Sequence, residues 1–148
     1  MSKIINQMKI SFPSKSVNES FARTTCAAFA MQADPTINEM ADIKTAISEA
    51  VTNCIVHAYA SDVGTVYIDA FMYDNGKLVF KIRDKGVGIQ DIKQAMEPMF
   101  TTAGGERAGL GFAVMQSFCD KLTVKSAVGR GTTVTLEKYI VRYGACND

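Results

Sequence analysis

The sequence lacks the features that would send it to a membrane, to nucleic acid or out of the cell. Sixteen basic residues stand against fifteen acidic ones, a net charge of +1, so no general electrostatic attraction to nucleic acid or to an anionic lipid surface is built in. No apolar run approaches the roughly 20 residues of a membrane span, and Met1-Ser2-Lys3-Ile4-Ile5-Asn6-Gln7 has no apolar core followed by a small-residue cleavage site. A cytoplasmic location is therefore expected, without direct contact to nucleic acid or membrane. There is one histidine, His57, and the four cysteines form no Cys-x-x-Cys pair, which argues against a structural zinc. Cys26, Cys54 and Cys119 fall at apolar positions of helical patterns and read as small buried hydrophobes in a reducing compartment, while Cys146 lies in an exposed tail.

What is present suits an ordinary globule. A length of 148 residues, with 47% hydrophobic and 21% charged residues, predicts a single domain spanning 1–148 with a sizeable core and a loose tail over 141–148. Lys9 to Phe12 alternates and ends at Pro13, a first strand. Ser16-Val17-Asn18-Glu19 has the form of a capping box, and Phe21, Thr25, Ala28 and Phe29 then recur at helical spacing to about Gln32. A second capping box, Thr36-Ile37-Asn38-Glu39, opens a longer helix with the apolar stripe Met40, Ile43, Ile47, Ala50, Val51, Cys54, Ile55 and Ala58, ending near Ser61 to Gly64.

The period then changes to 2 over Thr65 to Tyr73 and Lys77 to Asp84, with Asp74-Asn75-Gly76 as a hairpin turn. Gly86 to Gly109 reads as a long, mobile, functional loop with a short helix near Asp91 to Met96. A helical pattern over Gly109 to Asp120 and two alternating strands, Leu122 to Ser126 and Thr132 to Lys138, complete the chain. This order predicts an α+β, two-layer α/β sandwich, its mixed, mainly antiparallel sheet covered by helices on one face.

Three clusters could carry chemistry. Glu49, Asn53 and His57 are four residues apart and form one helical stripe beside the core stripe. A solvated polar face is the plainer account of such spacing. A carboxylate that can deprotonate a nucleophile, one turn from an amide oxygen that can ligate Mg²⁺, favours function. Asp84 falls in register with Leu78, Phe80 and Ile82, so strand parity points it at the core, where a carboxylate must find donors; the Gly86-Val87-Gly88 turn after it leaves room for a flat ligand with an exocyclic amine. A simple turn role for Asp84 stays open.

The third cluster, Thr101-Thr102-Ala103-Gly104-Gly105-Glu106-Arg107-Ala108-Gly109-Leu110-Gly111, is glycine-rich and opens into a helix. Free backbone N–H groups, the positive end of the helix dipole and the Arg107 guanidinium together suit phosphate. The sequence contains neither Gly-x-x-x-x-Gly-Lys-Ser/Thr nor a Rossmann fingerprint, nor the His-Arg-Asp and Asp-Phe-Gly signatures of eukaryotic protein kinases. A different nucleotide fold is required.

In this order the clusters resemble the N, G1 and G2 boxes of the GHKL, or Bergerat, superfamily of ATPases and kinases. Ser48-Glu49-Ala50-Val51-Thr52-Asn53, Arg83-Asp84-Lys85-Gly86-Val87-Gly88-Ile89, Glu106-Arg107-Ala108-Gly109-Leu110-Gly111-Phe112 and Asn18-Glu19-Ser20-Phe21-Ala22-Arg23 are similar in particular to its serine protein kinases that act as anti-sigma factors. The likeness runs from about Met8 to Lys138.

The resemblance implies that Glu49 activates the attacking hydroxyl, Asn53 holds Mg²⁺, Asp84 accepts the adenine amino hydrogen and Thr132 supports the adenine side. Gly86 and Gly88 would shape the pocket, Gly109, Leu110 and Gly111 would offer backbone donors, and Thr101, Thr102 and Arg107 would belong to a lid over ATP. It further implies a homodimer that holds an RNA polymerase sigma factor, a small anti-anti-sigma protein as the serine substrate, Arg23 at the partner surface, and a setting in sporulation. His57 is taken as structural. Alternatives are a nucleotide-gated sigma-binding module with negligible kinase activity, a stress-response homologue, or an ATPase without a protein acceptor.

Overall fold

The computed structural model describes residues 1–97 and 111–141. In chain order, its described elements are β1 (Ile4–Pro13), α1 (Val17–Ala30) with a 3₁₀ turn (Met31–Ala33), α2 (Ile37–Asn53), β2 (Thr65–Tyr73), β3 (Lys77–Arg83), α3 (Ile92–Met96), α4 (Gly111–Phe118), β4 (Lys121–Ala127) and β5 (Gly131–Tyr139). The strands form one sheet in the order β1-β2-β3-β5-β4. Each of its four pairings is antiparallel, where the sequence predicts a mixed, mainly antiparallel sheet. β5 enters between β3 and β4, which brings the end of β3 beside the start of β5.

Strand alternation decides which face is covered. Val66, Ile68, Ala70 and Met72 on β2, Leu78, Phe80 and Ile82 on β3, and Val134 and Leu136 on β5 are buried. They pack with Ile43, Ile47, Ala50 and Val51 of α2 and Met115 of α4 in one core, as expected when the inward positions of strands and a helical apolar stripe share a layer boundary.

β1 starts well before the predicted Lys9. Ile4 and Ile5 are exposed and carry no inward pattern, so their extended form is set by pairing with β2, which runs from Ile4 opposite Tyr73 to Pro13 opposite Thr65 with a register shift after Ile4. On α1 the buried residues are Ala22, Cys26, Ala27, Phe29 and Ala30, with Ala33 beyond them; of the predicted Phe21, Thr25, Ala28 and Phe29, Phe29 is buried and the other three are not. Small residues let α1 lie close to α2. Phe21 is half-exposed and meets Phe12 edge-on, ring centroids 6.0 Å apart.

The two predicted capping boxes part ways. Thr36 has extended backbone, its hydroxyl accepts from the Glu39 N–H at 3.1 Å and Glu39 returns a bond to the Thr36 N–H at 2.9 Å. Ser16 already has helical backbone and its side chain makes no cap bond; Glu19 turns to Arg23 instead, at 3.1 Å.

α2 also ends earlier than predicted. After Asn53 the backbone widens into one π-helical turn, Cys54–Ala58, closed by the Tyr59 N–H donating to the Cys54 carbonyl at 3.0 Å. No glycine or proline marks this turn. It is held from outside: the Tyr59 hydroxyl donates to the Thr65 carbonyl at 2.8 Å and accepts from the Lys85 N–H at 2.5 Å. Cys119 differs from its predicted burial too, being half-buried where α4 ends, with its thiol on the Lys121 carbonyl at 3.3 Å.

The caps make a paired prediction. Thr36→Ala should destabilise the chain by about 1 kcal/mol, and Ser16→Ala should change stability by less than about 0.5 kcal/mol, both read as shifts in urea unfolding midpoint. Equal losses would mean that Ser16 caps α1 in solution.

Candidate functional site

The residue after β3 carries the first functional group. Asp84 continues the β3–β5 ladder, its N–H donating to the Thr132 carbonyl at 2.9 Å, and its side chain turns inward, 8% exposed. One carboxylate oxygen, Oδ1, accepts from the Gly86 N–H at 2.9 Å and the Thr132 N–H at 3.2 Å. Among the described residues the other, Oδ2, accepts a single weak bond, from the Cys54 thiol at 3.6 Å, and so keeps capacity for a stronger donor. Burial pushes the Asp84 carboxyl above its ordinary range against the pull of these donors. The same burial, with the carboxylate beside it, lifts Cys54 well above the usual thiol range, so the thiol stays protonated and faces Asp84 as a donor.

Cys54 was read from sequence only as a core residue. The π-helical turn that begins at Cys54 follows α2 directly, so a side chain on the apolar stripe also reaches the end of β3. Such widened turns recur at functional sites.

These groups line a cavity of about 1030 Å³ together with Asn53, His57, Gly88 and Ser126. Its apolar surfaces include Val87, Ile89, Phe112 and Val134. A space of this size, with Asp84, Asn53, Ser126 and Thr132 set among apolar surfaces, suits a cofactor-sized organic ligand. His57 belongs to this wall, half-buried, and burial holds its imidazole below the ordinary range and hence neutral near pH 7.

The opposite part of the site is built by α2 and α4. Asn53, the last residue of α2, meets the first residue of α4 so closely that a Cβ on Gly111 would stand 2.9 Å from Asn53 Oδ1. Any larger residue would displace the amide that the sequence singles out as a metal ligand. Gly88 is required for its backbone: φ is +79°, and a Cβ there would run into the Ala127 carbonyl. The turn is tied down on both sides, by the Val87 N–H on the Ala58 carbonyl at 3.1 Å and the Gly129 N–H on the Val87 carbonyl at 2.8 Å. Gly86 stands behind the cavity wall, against the Ala58 backbone.

The structure thus brings Asn53, Asp84, Gly88, Gly111 and Thr132 into one region. Glu49 lies one turn before Asn53 on α2 and is half-buried. Arg23 is not beside the cavity; its guanidinium holds both Glu19 oxygens at 3.1 and 3.2 Å and reaches the Ser48 hydroxyl at 3.4 Å, with the side chain 39% exposed. Thr101, Thr102, Arg107, Gly109 and Leu110 lie outside the described residues.

Ser126 was singled out by no motif, yet its hydroxyl bonds the Thr132 hydroxyl at 2.7 Å and accepts the Ile89 N–H at 2.7 Å. Its only sequence signal is parity, since it shares the inward face of β4 with Leu122 and Val124. Among the described residues no group of three His, Cys, Asp or Glu side chains could hold a metal ion. A single amide oxygen from Asn53 fits Mg²⁺, which commonly takes one or two protein ligands and fills its shell with phosphate oxygens and water. Among the described residues, the buried carboxylate oxygen with one weak donor and the turn through Gly88 fit an adenine nucleotide.

Comparison with known proteins agrees with this architecture. Residues 12–138 match the family described as the histidine kinase-like ATPase domain, a nucleotide-binding domain. The anti-sigma F factor of Caldanaerobacter subterraneus is 58% identical over 138 residues, 93% of this chain and 96% of that protein. The anti-sigma F factor of Geobacillus kaustophilus is 46% identical over 144 residues, 96% and 99% of the two chains. Among solved structures, the RsbU and RsbW domains of a Mycobacterium tuberculosis protein superpose with a TM-score of 0.68 at 20% identity, over 91% of this chain and 32% of that one.

The histidine kinase domain of a blue-light activated kinase from Erythrobacter litoralis gives 0.55, also at 20%, over 73% and 48%. These two structures share the fold. Among the described residues no helix is long and apolar enough to cross a membrane. Matched through the ATPase domain and by close relatives along nearly its whole length, the chain belongs to the anti-sigma F factor family of the histidine kinase-like ATPases.

Proposed function

We propose that the chain is a cytoplasmic anti-sigma factor and serine/threonine protein kinase, one ATP-binding domain over 1–148. It binds an RNA polymerase sigma factor, and so blocks transcription, and uses Mg-ATP to phosphorylate a serine of an anti-anti-sigma antagonist in sporulation control. The observation that carries the nucleotide part is the buried Asp84 carboxylate in the wall of a cavity also lined by Asn53, the last residue of α2, which lies against the start of α4. The partner part is supported by the close relatives, which are named anti-sigma F factors.

Each residue then has a task. Asp84 Oδ2 accepts the adenine amino hydrogen, with Thr132 beside it and Gly86 and Gly88 shaping the turn. Asn53 Oδ1 is held against Gly111, where it would ligate Mg²⁺, which supplies charge neutralisation on the phosphates when bound. Gly109, Leu110 and Gly111 offer backbone N–H groups at a helix start, and Thr101, Thr102 and Arg107 complete the phosphate end. Glu49, one turn from Asn53, receives the proton of the attacking serine hydroxyl on its carboxylate. Arg23, held on α1 by Glu19 and Ser48, presents its charge to the protein partner, and the working form is a homodimer.

Two substitutions separate binding from transfer. Asp84→Asn should weaken ATP binding by roughly 10- to 100-fold, the range for a lost charge-assisted hydrogen bond, in titration calorimetry; unchanged affinity would remove the adenine assignment. Glu49→Gln should leave ATP affinity within about threefold and abolish labelling of a serine on the antagonist from labelled ATP. Labelling at the wild-type rate would rule out Glu49 as the base.

Stability provides an independent check on Asp84. Its carboxyl is raised above the ordinary 3.8 by burial, so between those two values the folded chain binds more protons than the unfolded one. Stability from this group is therefore present at low pH and lost as pH rises through the folded value. The ligand-free wild type should lose stability relative to Asp84→Asn as pH climbs above 3.8, read from urea midpoints across pH; parallel curves would show that the carboxyl is not raised.

A further inference from the structure

We infer that Ser126 is a positioning residue that fixes the proton of the Thr132 hydroxyl and so makes the cavity prefer a 6-amino over a 6-oxo purine; this rests on the nucleotide reading above. Ser126 on β4 lies directly opposite Thr132 on β5, and both line the cavity. Three groups meet the Ser126 oxygen: the Ile89 N–H at 2.7 Å, the Thr132 hydroxyl at 2.7 Å and the Gly131 carbonyl at 3.1 Å.

A serine hydroxyl has one proton and two lone pairs. The Ile89 N–H can only donate and takes one lone pair. The Gly131 carbonyl can only accept and needs the Ser126 proton. The second lone pair is then filled by the Thr132 hydroxyl, which must be the donor. The reverse assignment, with Ser126 donating to Thr132, leaves the Gly131 contact unmade and one Ser126 lone pair idle. Only the first arrangement makes all three bonds.

The consequence appears on the cavity side. Having given its proton to Ser126, Thr132 Oγ1 has only lone pairs to offer a ligand, while the Thr132 N–H is committed to Asp84 Oδ1 at 3.2 Å. Asp84 is an acceptor as well, so this end of the cavity is a paired acceptor surface. A carboxylate alone discriminates poorly, because the N1–H of a 6-oxo purine also satisfies it. A freely turning threonine hydroxyl would add little, since it could swing round to donate to the 6-oxo oxygen. With its proton held by Ser126, Thr132 meets that oxygen lone pair to lone pair, and an amino group fits both acceptors.

The test is calorimetric binding of ADP and IDP, each with Mg²⁺, to the full chain, which needs no turnover. The wild type should prefer ADP. Ser126→Ala should lower the ADP-to-IDP preference by roughly fivefold, the worth of one hydrogen bond, and Ser126→Thr, which keeps the hydroxyl, should restore it. In a Thr132→Val background Ser126→Ala should change the preference no further.

An unchanged preference in Ser126→Ala, or the same fall in the Thr132→Val background, overturns the proposal. Should Ser126→Ala fail to fold, Thr132→Ser against Thr132→Val decides: the hydroxyl-bearing variant retains the preference and the valine variant loses it, and equal preferences refute the idea. Asp84→Asn reports on the nucleotide reading separately, since ADP affinity indifferent to that change dismisses the base site whatever Ser126 does.

Discussion

The site is organised around a carboxylate taken out of water. Asp84 sits where the ends of β3, the start of β5 and the turn beyond α2 converge, and each contributes one donor: the Gly86 and Thr132 N–H groups and the Cys54 thiol. A buried carboxylate without such partners costs several kcal/mol, so the surrounding backbone cannot relax without exposing or abandoning it. The tight turn through Gly88, the π-helical turn after Asn53 and the placement of β5 between β3 and β4 all bear on keeping these donors in place.

The donor set is uneven, and that unevenness suits a binding site. Two backbone N–H groups saturate one oxygen, whereas the second oxygen meets a thiol, a weak donor kept protonated by its burial. A carboxylate with both oxygens strongly paired would be a structural device; one whose second oxygen meets a weak thiol donor, in the wall of a cavity of about 1030 Å³, is suited to a ligand amine. The raised carboxyl value expresses the same imbalance, with desolvation outweighing the donors. In the proposed kinase, a ligand that supplies the missing donor would relieve part of that cost, coupling nucleotide occupancy to the stability of the β3–β5 junction.

The helices serve a second constraint. α2 supplies Glu49 and Asn53, α4 begins against Asn53, and α1 ties back to α2 through Arg23 and Ser48. The proposed catalytic carboxylate therefore lies in the sequence immediately after Ser48, the residue on which the partner-facing Arg23 rests.

Much of this was legible in the sequence, and the reason is periodicity. The inward burial of Asp84 followed from its parity with Leu78, Phe80 and Ile82, and the Thr36 capping box and the Asp74-Asn75-Gly76 turn formed as their local chemistry predicts. The nucleotide family came from the resemblance of whole stretches, Ser48 to Asn53, Arg83 to Ile89 and Glu106 to Phe112, and not from spacing. Local pattern could not decide contacts whose partners are distant in sequence. Ser16 has the same capping signature as Thr36, but its backbone is already helical, so its hydroxyl makes no cap bond, and the Glu19 side chain pairs with Arg23; β1 extends back to Ile4 because β2 offers a ladder; α2 opens into a π turn because the Tyr59 hydroxyl is held by Thr65 and Lys85. The roles of Cys54 and Ser126 belong to that second group. Residue types and spacings set which side chains point inward, but only the meeting of the turn after α2 with β3, and of β4 with β5, placed a thiol and a hydroxyl beside the two acceptors of the site, since hydrogen-bond direction depends on partners that no single segment contains.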